Sequence, residues 1–109
     1  MGGNIMRFKK GALAAQYLRE PITSKYPDIQ SQCDKYGVEF VITSGVEGRH
    51  KSGSKHYDGL AIDMRSREFN GGSMGAECAV FCEELRRDLG LDYDVVQEGN
   101  HIHIEYDTK

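Results

Sequence analysis

The sequence predicts an α+β fold, a small antiparallel sheet with helices packed on one side of it. Short segments rich in β-branched and aromatic residues alternate with segments whose apolar residues recur at helical spacing. The last two strand segments, residues 93–97 and 101–106, are separated only by a turn or bulge at Gly99-Asn100. No internal repeat or linker divides the 109 residues, so we expect a single domain spanning 1–109, in which residues 1–10 could be a flexible tail.

The first two helices are predicted from their end signals. Residues 12–19 could form a short helix closed by Pro21. A second helical segment runs from about residue 23 to residue 36, and Gly37 ends it as a C-cap.

The third helix is predicted over about 73–89, where Gly90 stops it. One stripe of this helix is apolar and should face the core: Cys78, Cys82, Leu85 and Leu89. Together with Cys33 the chain has three cysteines, and an odd count does not suggest a disulfide framework. We therefore expect free thiols, with Cys78 and Cys82 in the core, although a cysteine pair four residues apart on a helix could in principle bind a metal.

Four strands are predicted from composition. Residues 38–43 are rich in β-branched and aromatic residues, and a polar loop at 45–53 follows them. The second strand is 60–64, and the other two are 93–97 and 101–106.

Two separated pieces of the chain carry candidate metal ligands. His56 and Asp63 lie seven residues apart, and alternation along strand 60–64 turns Asp63 away from the apolar face. Gly59, between them, allows the tight turn that would bring both to one metal ion. In the second piece, His101 and His103 share one strand face, so both can face the same metal. One carboxylate and two imidazoles leave one tetrahedral position for water, which is the composition of a catalytic zinc site.

These residues form the pattern Ser-x-His-x-x-Gly-x-Ala-x-Asp at 54–63, followed by His-x-His at 101–103. The pattern resembles the zinc D-Ala-D-Ala carboxypeptidase superfamily, which includes phage L-alanyl-D-glutamate endopeptidases and the hedgehog signalling domain. Thr43-Ser44-Gly45 is similar to the segment that precedes the motif in these proteins, and the resemblance covers about residues 38 to 106. It implies a hedgehog-like fold, a Zn²⁺ cofactor, and hydrolysis of a peptide bond in or near bacterial wall stem peptides.

The resemblance implies that His56, Asp63 and His103 bind the zinc and that His101 stabilises the transition state. Members of the superfamily often place an acidic base three residues before the ligand histidine, but Glu98 here precedes His101, not His103, by three. Either His103 is the ligand and Glu98 a displaced base, or His101 is the ligand in a Glu-x-x-His arrangement. We favour the first because His-x-His is the more complete match. The Gly99-Asn100 turn would then have to bring Glu98 to the histidine face.

Substrate contacts are expected from the loop before the motif. The resemblance implies that Arg49 holds a substrate carboxylate through a bidentate pair. Ser54 should orient a ligand through a hydrogen bond. Glu105 could hold a ligand histidine by its second nitrogen, and Arg65 and Arg67 are expected to form structural ion pairs.

Composition narrows the function classes. The formal net charge of −3 argues against a nucleic-acid partner, and no stretch is apolar enough to insert in a membrane. The N-terminus lacks the apolar core of a secretory signal. We expect a monomeric zinc peptidase made in the cytoplasm that acts on peptidoglycan at the bacterial cell wall, as a phage-type endolysin or a DD-carboxypeptidase-like enzyme. Two alternatives stay open, a zinc-retaining binding module without turnover and a phage structural protein of the same fold.

Overall fold

The fold is known from a computed structural model, which describes residues 6–9, 18–45 and 59–108. Eight elements follow one another along the chain: β1 (Arg7–Phe8), α1 (Glu20–Thr23), α2 (Tyr26–Tyr36), β2 (Val41–Ser44), β3 (Ala61–Arg65), α3 (Ala76–Leu89), β4 (Tyr93–Gln97) and β5 (His101–Tyr106). The predicted α+β class is confirmed. Most of the helix predicted at 12–19, and most of the loop at 45–53, lie outside the described residues.

The sheet has five strands in the order β1-β2-β3-β5-β4. It is mixed, which corrects the prediction of an antiparallel sheet: β1 pairs in parallel with β2, and the other pairs are antiparallel. The half-buried Phe8 packs against the core, so Arg7 and Phe8 belong to the sheet and shorten the predicted tail. A strand of two residues has no readable period, which is why the sequence did not indicate it.

The helices cover one face of the sheet. Because strand side chains alternate, every second residue of β3, β4 and β5 faces the helices. The residues on this face that are fully or almost fully buried are Ile62, Met64, Val95, Ile102 and Ile104. The stripe predicted on α3 is buried against them, including Cys78 and Cys82. All three cysteines are free, as predicted, and all three are buried, as predicted for Cys78 and Cys82.

Local signals place most element ends. The strands β4 and β5 have the predicted bounds, and Gly37 ends α2 in the left-handed conformation at φ 69°. Pro21 lies in the first turn of α1, where a backbone N–H has no partner within the helix, so proline is tolerated there.

The helix α3 begins three residues later than predicted, at Ala76, because Gly75 is extended at its N-cap. A Cβ on Gly75 would lie 2.8 Å from the carbonyl carbon of Gly71. This close backbone approach is possible only for glycine.

A carboxylate joins the two longer helices. Glu84 of α3 accepts hydrogen bonds from the Tyr36 hydroxyl at 2.7 Å, the Gln32 amide at 2.8 Å and the Lys35 ammonium at 3.2 Å. These bonds lower the pKa of Glu84 to about 2. Among the described helices, none has both the length and the apolar character of a membrane span.

Candidate functional site

The face of the sheet opposite the described helices carries the predicted acids and histidines. In the antiparallel pairing of β3 with β5, Asp63 lies directly opposite His103, and Arg65 lies opposite His101. Directly opposite residues on one face approach closely, so pairing brings together side chains 40 positions apart in the sequence. The sheet therefore brings Asp63, from the described part of the first piece, next to the histidines of the second.

His103 lies between two carboxylates. Its Nδ1 is 3.1 Å from Oδ1 of Asp63, and its Nε2 is 2.7 Å from Oε1 of Glu105. Burial alone would lower the pKa of His103, but the hydrogen bonds and charges of Asp63 and Glu105 outweigh it and raise the pKa to about 9. Glu105 thus holds the ring nitrogen that points away from Asp63, as the strand pattern suggested.

His101 approaches the same carboxylate from the next position on the face. Its Nε2 is 3.7 Å from Oδ1 of Asp63, and its Nδ1 is 2.6 Å from the side-chain oxygen of Asn100. With the amide oxygen of Asn100 as an acceptor, Nδ1 carries the proton and Nε2 is the nitrogen that faces Asp63. Both histidines therefore present one ring nitrogen to one aspartate oxygen.

Glu98 reaches this group through the β4–β5 hairpin. Its backbone N–H donates to the carbonyl oxygen of His101 at 2.9 Å, and the turn at Gly99-Asn100 places its carboxylate oxygen 3.9 Å from Nε2 of His101. The turn thus places the carboxylate of Glu98 on the face of the sheet that carries the histidines. A base for the candidate site must lie on this face. Its side chain is 46% exposed, so water reaches it.

Backbone contacts hold the start and middle of β3. Gly59 has φ 73°, a conformation that glycine adopts without strain, and its carbonyl oxygen accepts from the N–H of Arg19 at 2.9 Å. The Thr43 hydroxyl donates to the carbonyl oxygen of Asp63 at 3.3 Å. Gly59 therefore has a backbone conformation suited to the predicted tight turn, and residues 46–58 before it lie outside the described residues. The other predicted site residues, His56, Ser54 and Arg49, lie outside the described residues.

The donor atoms of Asp63, His101 and His103 are of types that zinc binds. Among the described residues, however, the group whose potential ligand atoms all lie within 4.8 Å of one another is a different one, Asp94, Glu105 and Asp107. Zinc takes imidazole nitrogen and carboxylate oxygen, and a ligand histidine typically donates its other N–H to a nearby oxygen. His103 and His101 meet both conditions, because Glu105 and Asn100 hold the nitrogens that point away from Asp63. With two carboxylates facing it, the ring of His103 is stabilised as an imidazolium, and a zinc ion can replace the proton on Nδ1.

Sequence reasoning missed two features of this site. Asn100 was interpreted only as a turn residue, although its position beside His101 was a signal. A cleft of about 470 Å³ also opens beside the site, lined by Lys9, Thr43, Asp63, Arg65, Arg67 and His101 among others. No local signal could have indicated Lys9, which follows β1 and reaches the cleft only through the pairing of β1 with β2.

A second group of potential metal ligands lies farther along the same face. Carboxylate oxygens of Asp94, Glu105 and Asp107 are within 4.8 Å of one another. An all-oxygen set is typical of calcium or magnesium, not of zinc, and Asp94 and Asp107 have other interactions.

Comparison with protein-family models, with curated proteins and with solved structures finds no match to this chain.

Proposed function

We propose that this chain is a zinc-dependent peptidase that hydrolyses an amide bond in the stem peptides of bacterial peptidoglycan. One observation carries the proposal: two histidines face Asp63, and a neighbouring oxygen holds the far nitrogen of each ring, at 2.7 Å for His103 and 2.6 Å for His101. This arrangement is the one that orients metal-binding histidines. The substrate class comes from the motif at 54–63 and its resemblance to wall peptidases.

In this proposal His56, Asp63 and His103 hold the zinc. When bound, zinc acts as a Lewis acid that polarises the substrate carbonyl and lowers the pKa of water toward neutrality. Glu98 takes the proton from the attacking water and delivers it to the leaving amine. His101 stabilises the charge that develops on the tetrahedral intermediate. Arg49 and Ser54 precede β3 in the sequence. In this proposal Arg49 binds the substrate carboxylate, and Ser54 orients a ligand by a hydrogen bond.

A non-catalytic zinc-binding module is the second candidate. It is favoured by the distance of 3.9 Å between Glu98 and His101, which is longer than a hydrogen bond, and by the exposure of Glu98. Such a protein would bind zinc and wall peptides without cleaving them.

The decisive experiment adds purified protein to permeabilised Gram-negative cells and follows turbidity, with and without a chelator. We expect clearing that the chelator abolishes and added zinc restores. Mass spectrometry of digested muropeptides then identifies the bond. Zinc binding without any cleaved muropeptide would reject the peptidase in favour of the binding module.

A further inference from the structure

The cleft beside the candidate metal site has an unusual charge balance. Lys9, Arg65 and Arg67 line it, and Asp63 is the one acid among the described lining residues. The chain as a whole has a net charge of −3. Three cations around one cleft are therefore a local exception, and we call this feature the basic cleft.

Within the part of the chain that the structure describes, the cations of the basic cleft are poorly neutralised. Arg65 lies 3.7 Å from Glu68 and 4.0 Å from Glu39, at the limit of an ion pair. Glu39 is already bound by Arg7 through both oxygens, at 2.7 Å and 3.2 Å. The structural ion pairs expected for Arg65 are thus weak.

Lys9 and Arg67 are exposed, and within residues 6–9, 18–45 and 59–108 neither forms an ion pair. The expectation of a structural ion pair for Arg67 is therefore wrong within these residues. Like charges around one cleft repel, and an anion between them relieves that repulsion.

The basic cleft also shares residues with the candidate site. Asp63 and His101 form part of its lining, so an anion bound there would lie beside the group that reacts. An arginine guanidinium pairs with a carboxylate through two parallel hydrogen bonds. A lysine ammonium beside it attracts the same carboxylate as a compact positive charge.

We propose that the basic cleft binds a carboxylate of the peptide substrate, next to the scissile bond, through Arg67 and Lys9. The proposal rests on the proposed function for the identity of the ligand. It adds a second carboxylate contact, distinct from the one expected of Arg49. A substrate with free acidic groups is held at this end, and its amidated form is discriminated against.

The test is calorimetric titration of the zinc-loaded full chain with a stem tripeptide, L-alanyl-γ-D-glutamyl-L-lysine, and with the same tripeptide in which every carboxylate is amidated. We expect the amidated peptide to bind about tenfold or more weakly, as for loss of a hydrogen bond to a charged group. Lys9→Gln and Arg67→Gln should each reduce this discrimination. Arg87→Gln, an exposed cation of α3 outside the cleft lining, is the matched control and should not.

Equal affinity for the two peptides, absence of saturable binding, or full discrimination in both cleft variants would overturn the proposal. Inorganic phosphate is titrated as a second arm. If phosphate binds more tightly than the tripeptide and loses affinity in the same variants, the cleft is a phosphate site and the carboxylate assignment is wrong.

Zinc content and muropeptide cleavage are measured on the same samples, which separates the two proposals. Discrimination without cleavage supports the basic cleft and rejects the peptidase. Cleavage without discrimination between the two peptides supports the peptidase and rejects the basic cleft as a carboxylate site.

Discussion

Strands β3 and β5 supply alternate residues to two very different faces of the sheet. Toward the helices they present apolar side chains with no exposed surface: Ile62, Met64, Ile102 and Ile104. On the opposite face their acids and histidines are 14% to 29% exposed: Asp63, His101, His103 and Glu105. Burial of apolar area stabilises the first face, whereas partly desolvated charges on the second stabilise little by themselves. Changes on the first face should therefore alter folding, and changes on the second should alter ligand binding.

The largest effect is expected from the proposed ligands. His56→Ala and Asp63→Ala should reduce bound zinc from about one ion per chain to near zero, because two remaining ligands hold zinc far more weakly than three. Elemental analysis of dialysed protein measures this, and circular dichroism checks that each variant stays folded. Full zinc occupancy in both variants would show that His56 and Asp63 are not zinc ligands.

Loss of the proposed base should come next. Glu98→Gln should keep zinc and lower muropeptide cleavage by about 10²–10⁴-fold, the usual contribution of general acid–base catalysis. Glu83→Gln, an exposed acid of α3 with only local ion pairs, is the control. Unchanged cleavage by Glu98→Gln would assign the base to another carboxylate.

The helix-covered face should respond in the opposite way. Ile102→Ala removes a fully buried side chain and should lower the free energy of unfolding by about 2–5 kcal/mol. Val96→Ala on the neighbouring strand, where the side chain is 41% exposed, should have a much smaller effect. Urea denaturation measures both. Equal losses of unfolding free energy in the two variants would mean that burial on the helix-covered face does not contribute more to stability than the opposite face does.

Zinc affinity can decide which histidine is the ligand. Glu105→Gln should weaken zinc binding by about 10–100-fold if His103 is the ligand, because the carboxylate orients its ring. Asn100→Ala should have the same effect if His101 is the ligand in the Glu-x-x-His arrangement. Competition with a chromophoric chelator measures both affinities. We expect the larger loss in Glu105→Gln, and the reverse order would exchange the roles of the two histidines.

The smallest effect concerns the bond network between α2 and α3. The pKa of Glu84 is lowered from 4.5 to about 2, so its contribution to stability is complete above pH 4.5 and is lost as the pH falls toward 2. Glu84→Gln should lower the melting temperature at pH 7 and flatten its decrease over this interval. Glu83→Gln serves again as the control. Identical pH profiles for the wild type and Glu84→Gln would contradict this assignment.

Local signals in the sequence determined much of the fold and part of the site. Alternation and the Gly99-Asn100 turn predicted β4 and β5 with the bounds observed, and Gly37 marked the end of α2. These features depend on neighbouring residues, which the sequence displays directly. For the same reason, the face on which Asp63 and the two histidines lie could be predicted before their contacts were known.

Only the tertiary structure decided which residues meet. Pairing of β3 with β5 sets Asp63 opposite His103, and a shift by one residue would have turned Asp63 to the core. The parallel pairing of β1 brings Lys9 to the cleft that Arg67 also lines. These contacts join residues far apart in the chain, and their formation depends on the packing of the whole sheet against its helices, which no local pattern records.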